Sequence, residues 1–131
     1  MAFLLHQNDR LGSQSIEYLP GSARTFSIGE VLATSAGRLV LGGVDSTGAQ
    51  TYICAAEQAV AGGDLVAVYR ITPERVYATT LTADGAALSV GDKVTLSADL
   101  MGVTATTASG VFELVGLEGP NVGDTVYGRF A

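Results

Sequence analysis

Leu88-Ser-Val-Gly-Asp-Lys-Val-Thr-Leu-Ser-Ala-Asp-Leu-Met-Gly-Val-Thr-Ala-Thr-Thr-Ala-Ser-Gly-Val-Phe-Glu-Leu-Val115 is the stretch from which the fold class is read. Val90-Gly91-Asp92 is a turn signal. Val94-Thr95-Leu96-Ser97 alternates apolar and polar residues, the pattern of a strand with one buried face. Asp99 to Gly102 reverses the chain into Val103-Thr104-Ala105-Thr106, and Gly110 leads to a third strand, Val111 to Val115. Three such strands make a meander, and a meander needs further strands to cover its apolar face.

The turn recurs. Ile28-Gly29-Glu30-Val31-Leu32, Gly62-Gly63-Asp64-Leu65-Val66, Val90-Gly91-Asp92-Lys93-Val94 and Val122-Gly123-Asp124-Thr125-Val126 share glycine, then an acid, then a strand-like run. The glycines are 34, 28 and 32 residues apart, too uneven for a solenoid repeat. They read instead as four similar strand starts in one barrel or sandwich. Glycine supplies a positive φ, and the carboxylate accepts a bond from a nearby backbone N–H.

Working outward, Ile16 to Leu19 is extended and ends at the turn pair Pro20-Gly21. Strands are expected at 30–34, 38–41, 51–55, 65–71, 76–81 and 125–130, with a polar glycine-rich loop over 42–50. Leu65 to Ile71 alternates poorly, so both its faces are expected to be covered. Ala55 to Ala61 is the one helix-like stretch, too short to stand alone, and reads as loop. The sum is about ten short strands in a single all-β domain over residues 16–131, a compact β-barrel or β-sandwich with a jelly roll among the forms allowed. Residues 1–15 read as an N-terminal arm: apolar Phe3, Leu4 and Leu5 on a polar tether, with a plain edge strand as the alternative.

Composition narrows the function. The 131 residues carry 47% hydrophobic and 15% charged side chains, against roughly 25% charged in ordinary domains. Mean hydropathy is +0.34. A small monomer has too much surface to hide so apolar a chain, which predicts a homo-oligomer or docking on a larger assembly. The net charge of −6 argues against nucleic acid and against an anionic membrane surface. No secretory signal and no run of membrane-spanning length is visible.

Catalytic and metal chemistry finds little support. The single histidine, His6, falls in the presumed arm, and no Gly-x-Ser-x-Gly elbow exists. One histidine and one cysteine cannot build a zinc site. Cys54 reads as a small buried hydrophobe. Asp64, Asp92 and Asp124 can bind calcium only if their turns converge; bonding their own backbone is the simpler reading. Glu113 and Glu118 are the carboxylates a glycosidase would need, without any sign of burial. Arg70 and Arg75 flank Thr72-Pro73-Glu74 and can clamp an acidic partner group, or pair with a neighbour such as Glu74. Tyr52, Tyr69, Tyr77 and Tyr127 lie in strand candidates, where core packing competes with a sugar-stacking row. The expectation is a non-enzyme with no cofactor and no metal.

Three segments carry a family resemblance. Tyr18-Leu19-Pro20-Gly21 leads into Phe26 to Leu32; Gly63 to Ile71 precedes Val76-Tyr77-Ala78-Thr79; Leu88 to Leu96 precedes Gly102-Val103-Thr104. From about Ile16 to the end, the chain resembles the small capsid decoration, or cement, proteins of tailed bacteriophages and prophages. The resemblance implies a non-enzymatic virion protein made in the bacterial cytoplasm. It would sit on the outer capsid surface, bind the major capsid protein, and associate with itself as a trimer in preference to a dimer. It transfers no catalytic or ligand residues. Phe3, Leu4 and Leu5 would then anchor the arm to a neighbour, with Arg70 and Arg75 as further contact residues. The competing class is a carbohydrate- or host-surface-binding β module of a virion fibre, marked by exposed tyrosines around a concavity.

Overall fold

The computed structural model describes residues 2–8 and 15–131, and at 6–8 the backbone only. Over these residues the protein is all-β, with no helix. The strands are β1 (Leu4–Asn8), β2 (Ile16–Pro20), β3 (Arg24–Phe26), β4 (Val31–Ser35), β5 (Arg38–Leu41), β6 (Tyr52–Cys54), β7 (Gln58–Val60), β8 (Leu65–Arg70), β9 (Arg75–Thr80), β10 (Lys93–Val94), β11 (Phe112–Leu117) and β12 (Thr125–Phe130). They form three sheets, ordered β1-β9-β12-β11-β10, β2-β8-β6-β4-β5 and β3-β7. Every strand pairing is antiparallel.

The four glycine–acid turns share one geometry. Gly29, Gly63, Gly91 and Gly123 have φ of 80°, 90°, 97° and 92°. In each, the following acid accepts a backbone N–H three residues upstream: Glu30 from Ser27, Asp64 from Ala61, Asp92 from Ser89 and Asp124 from Asn121. The strands they launch are β4, β8, β10 and β12. Glycine bears the positive φ without a Cβ penalty, and the carboxylate satisfies an N–H that no strand partner reaches.

The sheets enclose two cores. Phe26, Leu32, Leu39, Tyr52, Cys54, Val60, Val66 and Val68 form one, between the β2-β8-β6-β4-β5 sheet and the β3-β7 pair. The second lies between the two five-stranded sheets and holds Val31, Ile53, Tyr77, Leu114 and an aromatic group of Phe3, Phe112 and Phe130. β4 and β6 are buried on both faces because alternate residues serve the two cores: Val31 and Ile53 one, Leu32 and Tyr52 the other. The β2 sheet curls so far that the residue after β2, Gly21, makes a parallel bridge to Leu39 of β5. The approach leaves no room for a side chain: a Cβ on Gly21 would lie 2.8 Å from the Phe26 ring and 2.9 Å from Val66 Cγ2.

Four expectations change. The middle strand of the meander shrinks to bridges at Val103, because its backbone is taken by the chain beyond β9: Val103 N–H donates to Thr80 and its carbonyl accepts from Thr82. The helix-like 55–61 stretch contains β7, held by its register with β3 (Arg24↔Val60, Phe26↔Gln58), so tertiary pairing overrides local propensity. β8 is buried on one face only, through Val66 and Val68. The start of the expected arm is an edge strand: β1 pairs with β9, Leu4 opposite Ala78 and Leu5 opposite Tyr77. Residues 9–14 of the expected arm, and the His6 side chain, lie outside the described residues.

Candidate functional site

The sequence-predicted contact residues do not converge. Phe3 is 1% exposed and packs edge-on to Phe112 at 5.4 Å and tilted to Phe130 at 5.2 Å. Leu5 packs against the same core. Of the three apolar residues, only Leu4 is on the surface. The expectation that all three reach a neighbour is therefore corrected: an aromatic ring with a fitting cavity on its own chain docks there. Arg75 is buried, with Nη1 donating to the Arg70 carbonyl at 3.2 Å. Arg70 donates twice to Glu17, at 3.0 and 2.9 Å, and lies over the Tyr52 ring. The Glu17 carboxylate holds the Arg70 guanidinium above its ordinary pKa. The paired clamp thus does not form at the surface, because Arg70 is neutralised across the β2–β8 pair.

The other candidates are also separate. Asp64, Asp92 and Asp124 each serve their own turn. Among the described residues, no three His, Cys, Asp or Glu side chains converge as a metal site. Glu118 accepts a bond from the Tyr127 hydroxyl, and Glu113 lies opposite Arg129 on β12. Cys54 is buried and donates to the Ala56 carbonyl, and burial pushes its thiol pKa up. Tyr52 and Tyr77 are core residues.

The unusual surface lies where the two five-stranded sheets part. Residues opposed across an antiparallel pair share a face. Ile16 is opposite Tyr69, Tyr18 opposite Ala67 and Pro20 opposite Leu65. Tyr69 is in turn opposite Ile53, and Ile53 opposite Val31. This face is covered by the other sheet at Val31 and Ile53, and left open at β2 and β8. There Ile16, Tyr18 and Leu65 are 46%, 63% and 56% exposed. Between the covered and open parts runs an apolar groove of about 230 Å³, lined by Phe3, Ile53, Tyr69 and Tyr77, with exposed Leu4 and Ile28 also in its wall.

Sequence reasoning missed Ile16, Tyr18, Ile28 and Leu65, yet a signal was present. β8 reads Leu-Val-Ala-Val-Tyr without polar alternation. Such a strand wants cover on both faces, and the chain covers one. Compared with protein-family models, curated proteins and solved structures, the chain matches none.

Proposed function

We propose that this chain is a capsid decoration protein: a structural subunit that binds the outer surface of a tailed-phage head as a homo-oligomer and stabilises it. The observation that carries the reading is the open apolar face of β2 and β8 with its adjoining groove. Patches of this kind, on a chain with few charges, are characteristic of surfaces that work covered. The resemblance of 16–131 to cement proteins names the class of partner, the major capsid protein. A ligand that binds only the assembled shell stabilises it by mass action. The test is co-sedimentation with expanded, decoration-free capsids of the parent virus. Saturable binding at a fixed ratio, with greater heat resistance of the particle, supports the reading; no binding to intact shells ends it.

A second reading rests on Tyr18 and Tyr69, on neighbouring strands of one face beside the groove. Stacking aromatics of this kind suit a sugar-binding, host-surface module. A glycan-binding screen, repeated with Tyr18→Ala, separates the two.

A further inference from the structure

We propose that β8 is the centre of a homodimer: two copies of the chain meet by the open face of β2 and β8, about a two-fold axis that runs along β8 over Ala67, and each Tyr18 enters the groove of the other copy. The register fixes what this face presents. Tyr18 lies opposite Ala67, and Ala55 N–H donates to the Ala67 carbonyl. With Cys54 opposite Val68, Ala55 comes opposite Ala67, so Tyr18, Ala67 and Ala55 form one row across three strands. Cys54, Val66 and Val68 point the other way, into the core. The row is one large side chain followed by two small ones. Tyr18 stands out at 63% exposed, and the hollow beyond Ala67 is the groove of about 230 Å³, whose lining includes Ala55, Tyr69 and Ile28. A cavity of about 150 Å³ takes a benzene, so the groove has room for a tyrosine ring.

A second copy supplies that ring. Neighbouring strands lie about 4.8 Å apart, and β8 sits midway between β2 and β6. A half-turn about a line along β8 therefore carries Tyr18 of one copy over Ala55 of the other, and the reverse. Knob and hollow on one surface, equally spaced from a common line, are what a two-fold contact needs. On the axis Ala67 meets Ala67, and Leu65, 56% exposed, meets Leu65; the two alternate along β8 with buried Val66 and Val68, so both project from this face. The sheet curls away on either side of β8, and Tyr18 is long enough to bridge the gap that this curl opens. No charged side chain stands in the row or on the axis, so two chains of net charge −6 oppose no carboxylates there. Tyr18, Leu65, Leu4 and Ile28 are each more than half exposed. With Tyr69 and the alanines they give two copies on the order of 1,000 Å² to bury, the lower end for a specific interface. Every backbone bond within the chain stays as it is, including the bridge from Gly21 to Leu39. The dimer rests on the reading of this face as one that works covered; it is measured on the isolated protein and shell binding on particles, so each can fail without the other.

The test is sedimentation equilibrium of the full chain. A dimer is expected. Tyr18→Ala, which removes the knob, and Ala67→Glu, which sets two carboxylates against each other on the axis, should each weaken it at least about tenfold while keeping the wild-type far-UV dichroism. Val122→Glu, at an exposed position in the β11–β12 turn, should dimerise as the wild type does. Packed sheets lie about 10 Å apart. A bismaleimide of that reach should join Ala67→Cys into a covalent dimer, and should not join Val122→Cys or the wild type, whose one cysteine, Cys54, is buried. A wild-type monomer, which would leave the face to the shell protein, a trimer, dimers that persist in Tyr18→Ala or in folded Ala67→Glu, or equal crosslinking at positions 67 and 122 would each overturn the proposal. The cysteine pair decides the matter even if Ala67→Glu unfolds.

Discussion

Phe3→Ala tests whether the first residues belong to the core or to a partner. Phe3 is 1% exposed and touches two rings of a contiguous aromatic group: Phe112 and Phe130 are themselves 5.2 Å apart edge to face, and Tyr77 lies 5.4 Å from Phe130. Truncating a buried Phe costs about 3–5 kcal/mol through lost transfer energy and the cavity left behind. Each aromatic pair adds about 0.5–1.5 kcal/mol beyond area. The loss expected here is about 4 kcal/mol, since two pairs vanish and the surrounding strands are too interlocked to collapse into the gap. With a urea slope of roughly 2 kcal/mol/M, the unfolding midpoint should fall by about 2 M. The assay is urea unfolding followed by tyrosine fluorescence and far-UV dichroism, at one fixed protein concentration so that self-association does not enter. Leu4→Ala, at the exposed next residue, is the comparator and should stay within about 0.5–1 kcal/mol of wild type. If Phe3→Ala moved the midpoint no further than Leu4→Ala does, the segment would not be part of the core.

The remaining predictions use the same unfolding measurement or a simple chemical probe. Gly21→Ala places a Cβ against Phe26 and Val66 and should cost about 1–3 kcal/mol by overpacking; Phe26→Leu in the same chain should restore part of it, and full additivity would refute the contact. Gly123→Ala meets no atom within 4 Å but inherits a φ of 92°, so its cost of about 1–2 kcal/mol is backbone strain alone, and Gly123→Asn should lose less. Arg70→Gln should cost under about 1 kcal/mol, and less still in high salt, because its pair with Glu17 is largely exposed. The Cys54 thiol, raised in pKa by burial, should react with a disulfide reagent at pH 8 more than about tenfold faster in urea than in the native protein; equal rates would mean the β6 region opens readily.

The turns were legible because their chemistry is local. A glycine at positive φ and an acid bonding three residues back need nothing from the rest of the chain, so Gly29, Gly63, Gly91 and Gly123 could be placed from residue type and neighbours. The strands those turns launch, the all-β class and the buried state of Cys54 follow from the same short-range patterns. Which face of a strand finds cover is a different kind of fact. Leu65 and Val66 are both apolar and adjacent, yet Val66 closes a core with Phe26 and Leu39 while Leu65 stands in solvent. Phe3 and Leu4 divide in the same way, one inside an aromatic cluster and one outside it. Nothing in the local sequence distinguishes the members of either pair. Their fates depend on where the two large sheets part, which is set by contacts between residues dozens of positions apart. The candidate surface is made of that difference: apolar side chains written into the sequence everywhere, and left open only where the tertiary packing ends.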